Sequence, residues 1–211
     1  NDLSLTHTFI TPQVNRSQSY IENTNEPISA RVIAETEEGI IIKGARLLAT
    51  QGGLTDEVFV FNVGKLVFGE DETFSFAVPS NTEGLKFICR DSFIGGVSAF
   101  DHPLSSKYEE MDSIVVFDNV LVPWERVFFY NNVEVAEKFI IQSAFHHFAK
   151  HQVLIRQIAK TEFILGIAEL LIETIKVYEY QHIHEKMSEI IVGLETMKAL
   201  LDEAENDAVL D

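Results

Sequence analysis

The sequence predicts an α+β fold in which a strand-rich part comes first and a helical part follows. Up to about residue 131, short alternating apolar runs are separated by turn residues, such as the Gly-Glu-Asp-Glu run at 69–72. Beyond that point, residues 133–211 contain no proline and two glycines, and their apolar residues recur every three or four positions. We therefore expect a β-domain over residues 1–131 and part of a helical bundle over residues 132–211.

Seven segments of the first part carry strand signals, because they are rich in β-branched and aromatic residues and end at turn residues. They are residues 3–10, 31–36, 39–50, 57–68, 73–78, 84–90 and 113–122. The Glu-Glu-Gly run at residues 37–39 predicts a hairpin turn between the second and third of them. Six or seven strands joined by turns make a small barrel or sandwich.

The second part predicts three helices: one over residues 133–148, a longer one that ends near residue 178, and one over residues 182–207. A bend is expected over residues 178–184. Two rows of side chains each share one helix face and predict packing within a bundle. The first row is Leu154, Ile158, Thr161, Leu165, Ala168, Ile172 and Ile175, and the second is Ile183, Met187, Ile190, Leu194, Met197 and Leu201.

Composition argues against several classes of protein. The net charge is −17, from 33 acidic and 16 basic residues, and no basic cluster is present to bind nucleic acid or an anionic membrane. The single cysteine, Cys89, excludes an internal disulfide framework, which suits a cytoplasmic protein. We expect Cys89 to be buried, because it lies in an apolar, strand-like run. No apolar run reaches the roughly 18–20 residues of a membrane span. Because the chain begins with Asn1, we expect either a piece of a longer protein or a processed product.

Two stretches place polar groups where a ligand can reach them. His7, on the first predicted strand, can donate to a phenol, and Arg16 can pair with phosphate. A surface strand that leads into a proline turn is the alternative. The third strand ends in Thr50 and the pair Gly52–Gly53, where a ligand can approach backbone N–H groups. A plain turn is the alternative there, and neither stretch matches a nucleotide-binding glycine motif.

Histidines of the second part offer a further candidate. His147 and His151 lie four residues apart and would share a helix face. The His-Glu-x-x-His signature of zinc enzymes is absent, because Phe148 follows His147. We therefore expect histidines that are satisfied within the bundle and no metal site.

Several runs together resemble one enzyme family, the oxygenase components of 4-hydroxyphenylacetate 3-monooxygenase, whose fold is related to that of acyl-CoA dehydrogenases. The resemblance rests on residues 6–9, 12–16, 45–50, 101–106, 117–128 and 159–166. The run at 117–128, Phe-Asp-Asn-Val-Leu-Val-Pro-Trp-Glu-Arg-Val-Phe, is the most specific of them. Membership would imply a helical domain, a middle β-domain and a C-terminal helical bundle, of which this chain would hold the middle domain and the start of the bundle.

The resemblance also implies a reaction and its partners. A separate reductase would supply FAD in its reduced form, FADH2, and the oxygenase would use it with dioxygen to hydroxylate a small phenol ortho to its hydroxyl. The enzyme would be a cytoplasmic homo-oligomer, a dimer or a tetramer. The family's catalytic and substrate-binding histidine corresponds to His7, and a further substrate-contacting pair corresponds to Asn62 and Val63. The flavin-contacting residues correspond to Gln13, Val14, Asn15, Arg16 and Thr50.

Three alternative functions follow from the same resemblance. The chain could be a partial remnant of the family that is not an enzyme alone. A 4-hydroxybutyryl-CoA dehydratase would need cysteine ligands for an iron–sulfur cluster, and residues 133–211 contain none. An acyl-CoA dehydrogenase would need a catalytic glutamate from the later bundle, and no glutamate here corresponds to it.

Overall fold

The computed structural model describes residues 2–12, 28–61, 73–92, 94–96 and 98–208. Contacts divide the chain into two compact units, Asn1–Ile140 and Ile141–Asp211. The first unit holds eight described strands and most of a helix. They are β1 (Leu5–Thr8), β2 (Arg31–Glu35), β3 (Gly39–Thr50), β4 (Glu57–Phe61), β5 (Phe74–Pro79), β6 (Leu85–Cys89), β7 (Asp112–Pro123), β8 (Val127–Tyr130) and α1 (Val133–Gln142).

The strands form two four-stranded sheets. The first has the order β1-β4-β5-β8, in which β1 runs parallel to β4 and the other pairs are antiparallel. The second has the order β2-β3-β7-β6 and is antiparallel throughout. The long strands β3 and β7 pair from Gly39 opposite Pro123 to Thr50 opposite Asp112. The described strands thus make a sandwich of two open sheets, and the barrel alternative does not apply to them.

Apolar side chains from both sheets make one core. Alternate residues of β3, β4 and β7 point into it, which is the period expected of strands that bury one face. The buried residues are Ala30, Ile40, Ile42, Ala49, Val58, Val60, Phe74, Phe76, Val78, Val115, Phe117, Val120 and Val122. The predicted α+β fold is confirmed, with its strand-rich part forming this sandwich.

The second unit is a helical hairpin of α2 (Phe145–Ile175) and α3 (Gln181–Asn206). Both predicted rows are half-buried or buried except at Ile175, which is exposed, and Leu194 is buried. Phe145, Ala149 and Lys198 are half-buried as well, outside the rows. Lys176, with φ of 55°, ends α2 in the left-handed region. Among the described residues, no helix combines the length and apolar character needed to cross a membrane.

Three details of the sequence-based prediction were wrong. The helix predicted over residues 133–148 is divided, because Ala144 adopts a left-handed conformation, with φ of 55°, between α1 and α2. Strand β8 was not among the predicted strands, which end at residue 122. Cys89 is exposed, because it ends β6, an edge strand of its sheet. Residues 62–68 of the predicted fourth strand lie outside the described residues.

Candidate functional site

His7 lies on the outer side of the first sheet. Side chains alternate along β1, so that Thr6 and Thr8 are buried toward the core while His7 faces outward. The His7 ring stacks on Phe9, with 5.5 Å between centroids and 4° between planes. Phe61 lies 6.1 Å from His7 and 5.3 Å from Phe9. His7 is therefore held within an aromatic surface of the sheet.

This surface extends across the sheet to α1. We call it the aromatic face, formed by His7, Phe9, Phe59, Phe61, Phe128, Phe129 and Phe139. Phe59 lies 5.0 Å from Phe61 and meets Phe128 edge-on at 5.6 Å. Phe139 of α1 lies 5.6 Å from Phe129. Phe61 and Phe129 are buried, so another flat ring can contact only the remaining rings. Aromatic pairs of that kind gain about 0.5–1.5 kcal/mol beyond burial.

The aromatic surroundings change the chemistry of His7. Desolvation by burial lowers the pKa of His7 below its ordinary value, because neighbouring rings disfavour the charged imidazolium. A neutral imidazole has one N–H donor and one acceptor nitrogen. His7 can therefore donate to a phenolic oxygen or accept its proton at neutral pH.

Thr50 ends β3 at a tight turn. Its hydroxyl donates to Asp112 Oδ1 over 2.8 Å, and its side chain is exposed. Gln51 follows in the left-handed region, with φ of 58°, and Gly52 and Gly53 begin a short 3₁₀ turn. Gly52 is buried so closely that a Cβ there would lie 2.2 Å from Ser113 Oγ. Gly53, by contrast, is exposed, and no side chain of its own covers the Thr50 hydroxyl.

Two buried hydroxyls join the strand of His7 to the strand of Thr50. Thr6 Oγ1 donates to the carbonyl oxygen of Thr50 over 2.6 Å, and Thr8 Oγ1 donates to that of Leu47 over 2.7 Å. These bonds satisfy polar groups that lie between the two sheets. The bonds join the strands that carry two of the predicted site residues, although the His7 side chain faces the opposite side of its sheet from Thr6.

The other predicted site residues lie outside the described residues: Gln13, Val14, Asn15 and Arg16, and the pair Asn62 and Val63. The residues that immediately precede both of these runs are nevertheless described. Thr11 accepts a 2.7 Å hydrogen bond from Nη1 of the buried Arg46, just before the first run. Phe61 of the aromatic face immediately precedes Asn62.

A network beside Thr50 was not predicted from the sequence. Arg90 Nη2 lies 2.8 Å from Glu109 Oε1, and Ser92 Oγ donates to Glu109 Oε2 over 2.5 Å. Gln51 Nε2 donates to the carbonyl oxygen of Glu109 over 2.9 Å. The partners are up to 58 residues apart, so no local pattern signals them. The network fixes the segment before Asp112 against the turn that follows Thr50.

The histidines of α2 do not form part of a metal centre in the described part of the chain. No group of three or more His, Cys, Asp or Glu is close enough there to hold an ion. His151 Nε2 instead lies 2.9 Å from Glu205 Oε1 of α3.

Comparison with known proteins connects this geometry to one family. The family described as "4-hydroxyphenylacetate 3-hydroxylase N terminal" matches residues 1–129, and "4-hydroxyphenylacetate 3-hydroxylase C terminal" matches residues 136–211. A probable 4-hydroxyphenylacetate 3-monooxygenase of Bacillus subtilis is 66% identical over 211 residues, which cover 100% of this chain and 44% of that protein. The chain thus spans less than half the length of this relative.

Solved structures agree with the match. One is the oxygenase component of 4-hydroxyphenylacetate 3-monooxygenase complexed with FAD and 4-hydroxyphenylacetate, with a TM-score of 0.86 and 44% identity; the match covers 100% of this chain and 44% of that one. A glutaryl-coenzyme A dehydrogenase shares the fold alone, with a TM-score of 0.60 and 13% identity over 94% of this chain and 46% of that one. The matched families, which together cover most of the sequence, and the 66% identical relative establish that this chain belongs to the 4-hydroxyphenylacetate 3-hydroxylase family.

Proposed function

We propose that this chain provides the flavin- and phenol-contacting part of the oxygenase component of a two-component monooxygenase. A separate reductase would supply reduced FAD, and the substrate would be a 4-hydroxyphenylacetate-like phenol hydroxylated ortho to its hydroxyl. The observation that carries the proposal is the placement of His7 on the aromatic face, one residue from the Thr6–Thr50 hydrogen bond. The family match supports the same reaction.

The residues around Thr50 fit a flavin ring. The exposed hydroxyl stands at a strand end, and the exposed Gly53 adds no side chain over it. A built Cβ at Gly53 would find only Cys89 Sγ nearby, at 3.7 Å. We propose that Thr50 contacts the flavin ring and that Gln13, Val14, Asn15 and Arg16 line its path. Reduced FAD, when bound, supplies the electrons with which dioxygen is activated.

His7 suits a phenolic substrate. Because its pKa is lowered, the imidazole is neutral at pH 7 and can hydrogen-bond the phenolic oxygen while it gains negative charge. Phe9 stacks on the His7 ring, and the buried Phe61 supports both rings from below, so that His7 is held in one orientation. Asn62 and Val63 follow Phe61 in the chain, and we propose that they contact the same substrate.

A single-turnover experiment tests the proposed reaction. The purified chain is mixed anaerobically with chemically reduced FAD and 4-hydroxyphenylacetate and then exposed to dioxygen, and the ortho-hydroxylated product is quantified. We expect product from the unchanged chain and at least a tenfold loss in His7→Gln, since positioned proton-transfer groups contribute about 10²–10⁴-fold. His182→Gln, at an exposed position of α3, is the matched control and should retain the yield.

The alternative that the chain is a remnant which is not an enzyme alone predicts a different outcome. Its motivation is the 44% share of the relative's length and the absence of buried residues in α2, whose Leu170 is 64% exposed. A folded chain that yields no product would favour this alternative. Equal yields from His7→Gln and the unchanged chain would contradict the role of His7.

A further inference from the structure

We propose that Asp112 is a positioning residue that makes the Thr50 hydroxyl a hydrogen-bond acceptor for the ligand and so favours reduced over oxidised FAD. The inference rests on the function proposed above. Its starting point is the 2.8 Å bond between Thr50 Oγ1 and Asp112 Oδ1. A hydroxyl has a single proton, and an ionised carboxylate can only accept. Thr50 therefore donates its hydroxyl proton to Asp112, and the lone pairs of Thr50 Oγ1 are left to accept a hydrogen bond from a ligand.

The redox state of flavin changes which of its atoms donate. Oxidised flavin presents ring nitrogens that accept hydrogen bonds. Addition of two electrons and two protons turns ring nitrogens into N–H donors. An acceptor hydroxyl therefore complements the reduced ring, whereas against the oxidised ring it sets two acceptors opposite each other, and a polar group left unpaired costs free energy.

The backbone on both sides of this hydrogen bond is held in place. They lie directly opposite each other at the end of the β3–β7 ladder. The carbonyl oxygen of Thr50 accepts from Thr6 Oγ1 over 2.6 Å, and that of Asp112 accepts from the backbone N–H of Arg90 over 3.1 Å. Ser113 Oγ donates to the carbonyl oxygen of Ala49 over 3.1 Å and ties the adjacent residues. Fixed donors and acceptors of this kind discriminate between ligands without reorganising.

The test compares the dissociation constants of oxidised FAD and anaerobically reduced FAD. In Asp112→Asn, the amide can donate to Thr50 Oγ1 and so release the hydroxyl proton for the oxidised ring. We expect the ratio of the oxidised to the reduced constant to fall about three- to tenfold, the size of one hydrogen bond. Asp118→Asn is the matched control, since Asp118 lies on the same strand and pairs with Lys86.

A second pair of variants tests whether Asp112 acts through the Thr50 hydroxyl or only stabilises the fold. Thr50→Val removes the acceptor, so the ratio should fall in that variant as well. Adding Asp112→Asn to Thr50→Val should change the ratio no further, because the carboxylate acts through the hydroxyl. A purely structural role would weaken both flavin forms by the same factor and leave the ratio unchanged, which would overturn the proposal.

Three outcomes would each overturn part of the account. A ratio that rises in Asp112→Asn would mean that the carboxylate acts only through its charge, by repelling anionic reduced flavin, and would overturn the proposal. A folded, unchanged chain that binds neither form would overturn the proposed function and this inference together. Binding of both forms with an unaltered ratio in Asp112→Asn would overturn the inference alone.

Discussion

Thr6 donates its hydroxyl proton to the carbonyl oxygen of Thr50 over 2.6 Å, which joins a strand of one sheet to the end of a strand in the other. Thr6 is 4% exposed, so the bond replaces water for both groups. It also sets the position of Thr50 relative to the strand that carries His7. The position of Thr50 in the candidate site thus depends on the hydroxyl of Thr6, which is buried between the sheets.

Thr6→Val should therefore lower both stability and flavin affinity. The loss of one buried hydrogen bond costs about 1–2 kcal/mol of the free energy of unfolding. Thr8→Val is the matched control, because Thr8 is buried and donates to Leu47 in the same way over 2.7 Å. We expect similar losses in urea denaturation of both variants, with a further loss of affinity for reduced FAD in Thr6→Val alone. Equal affinities of the two variants for reduced FAD would contradict the proposal that Thr6 positions Thr50.

Phe9 should control the titration of His7. The stacked ring desolvates the imidazole, so Phe9→Ala should raise the pKa of His7 toward its ordinary value. Proton NMR of the His7 ring across pH 4–9 measures the change, and Phe128→Ala, which removes a ring not in contact with His7, serves as control. No difference between the two variants would mean that Phe9 is not the cause of the shift.

The same shift predicts a pH dependence of stability. The folded pKa of His7 is below that of the unfolded chain, near 6.5, so the unfolded chain binds the proton more readily. The contribution of His7 is therefore complete above the unfolded pKa and is lost as the pH falls through that value toward the folded pKa. His7→Phe should make the free energy of unfolding depend less on pH in this window. A steeper dependence in the variant would contradict the sign.

Substitution by alanine should destabilise the protein at Gly52 and have little effect at Gly53. A Cβ at Gly52 would lie 2.2 Å from Ser113 Oγ and 3.0 Å from Phe87 Cδ1, whereas one at Gly53 would find only Cys89 Sγ at 3.7 Å. Overpacking of this kind costs about 1–3 kcal/mol. Thermal denaturation should therefore show a lower melting temperature for Gly52→Ala and a nearly unchanged one for Gly53→Ala. Comparable values would show that the turn has room at both positions.

Ser75 and Ser113 offer a test of buried hydroxyls. Both are buried, but Ser75 Oγ has no hydrogen-bond partner among the described residues, whereas Ser113 Oγ donates to the carbonyl oxygen of Ala49. Ser75→Ala should be neutral or stabilising, because it removes an unsatisfied polar group, while Ser113→Ala should cost about 1 kcal/mol. Chemical denaturation of both variants measures the difference. A larger loss in Ser75→Ala would indicate a partner for that hydroxyl.

Much of the fold was predictable because periodicity reports burial directly. The rows that contain Leu165 and Leu194 identified the facing sides of α2 and α3, and the long alternating run 39–50 identified β3. The break at Ala144 was not predictable, since alanine favours helix and only the surrounding structure selects its left-handed conformation. Sequence periodicity therefore fails at positions whose backbone conformation is set by the surrounding structure.

Local chemistry made His7 and Thr50 candidates for ligand contact, and the family resemblance gave them their expected roles. Their surroundings depend on contacts across the sandwich. The Thr6–Thr50 bond spans 44 residues and the Thr50–Asp112 bond spans 62, so neither leaves a local signature. Asp112 was therefore missed, although it sits directly against a predicted residue.

Titration of the purified chain with anaerobically reduced FAD tests the central claim most directly, with flavin fluorescence as the signal. We predict saturable binding that Thr50→Val weakens several-fold, and that Thr196→Val, at an exposed position of α3, leaves unchanged. A folded chain that binds no reduced FAD, or equal affinities in the two variants, would contradict the assignment of Thr50 and its surroundings as the flavin platform.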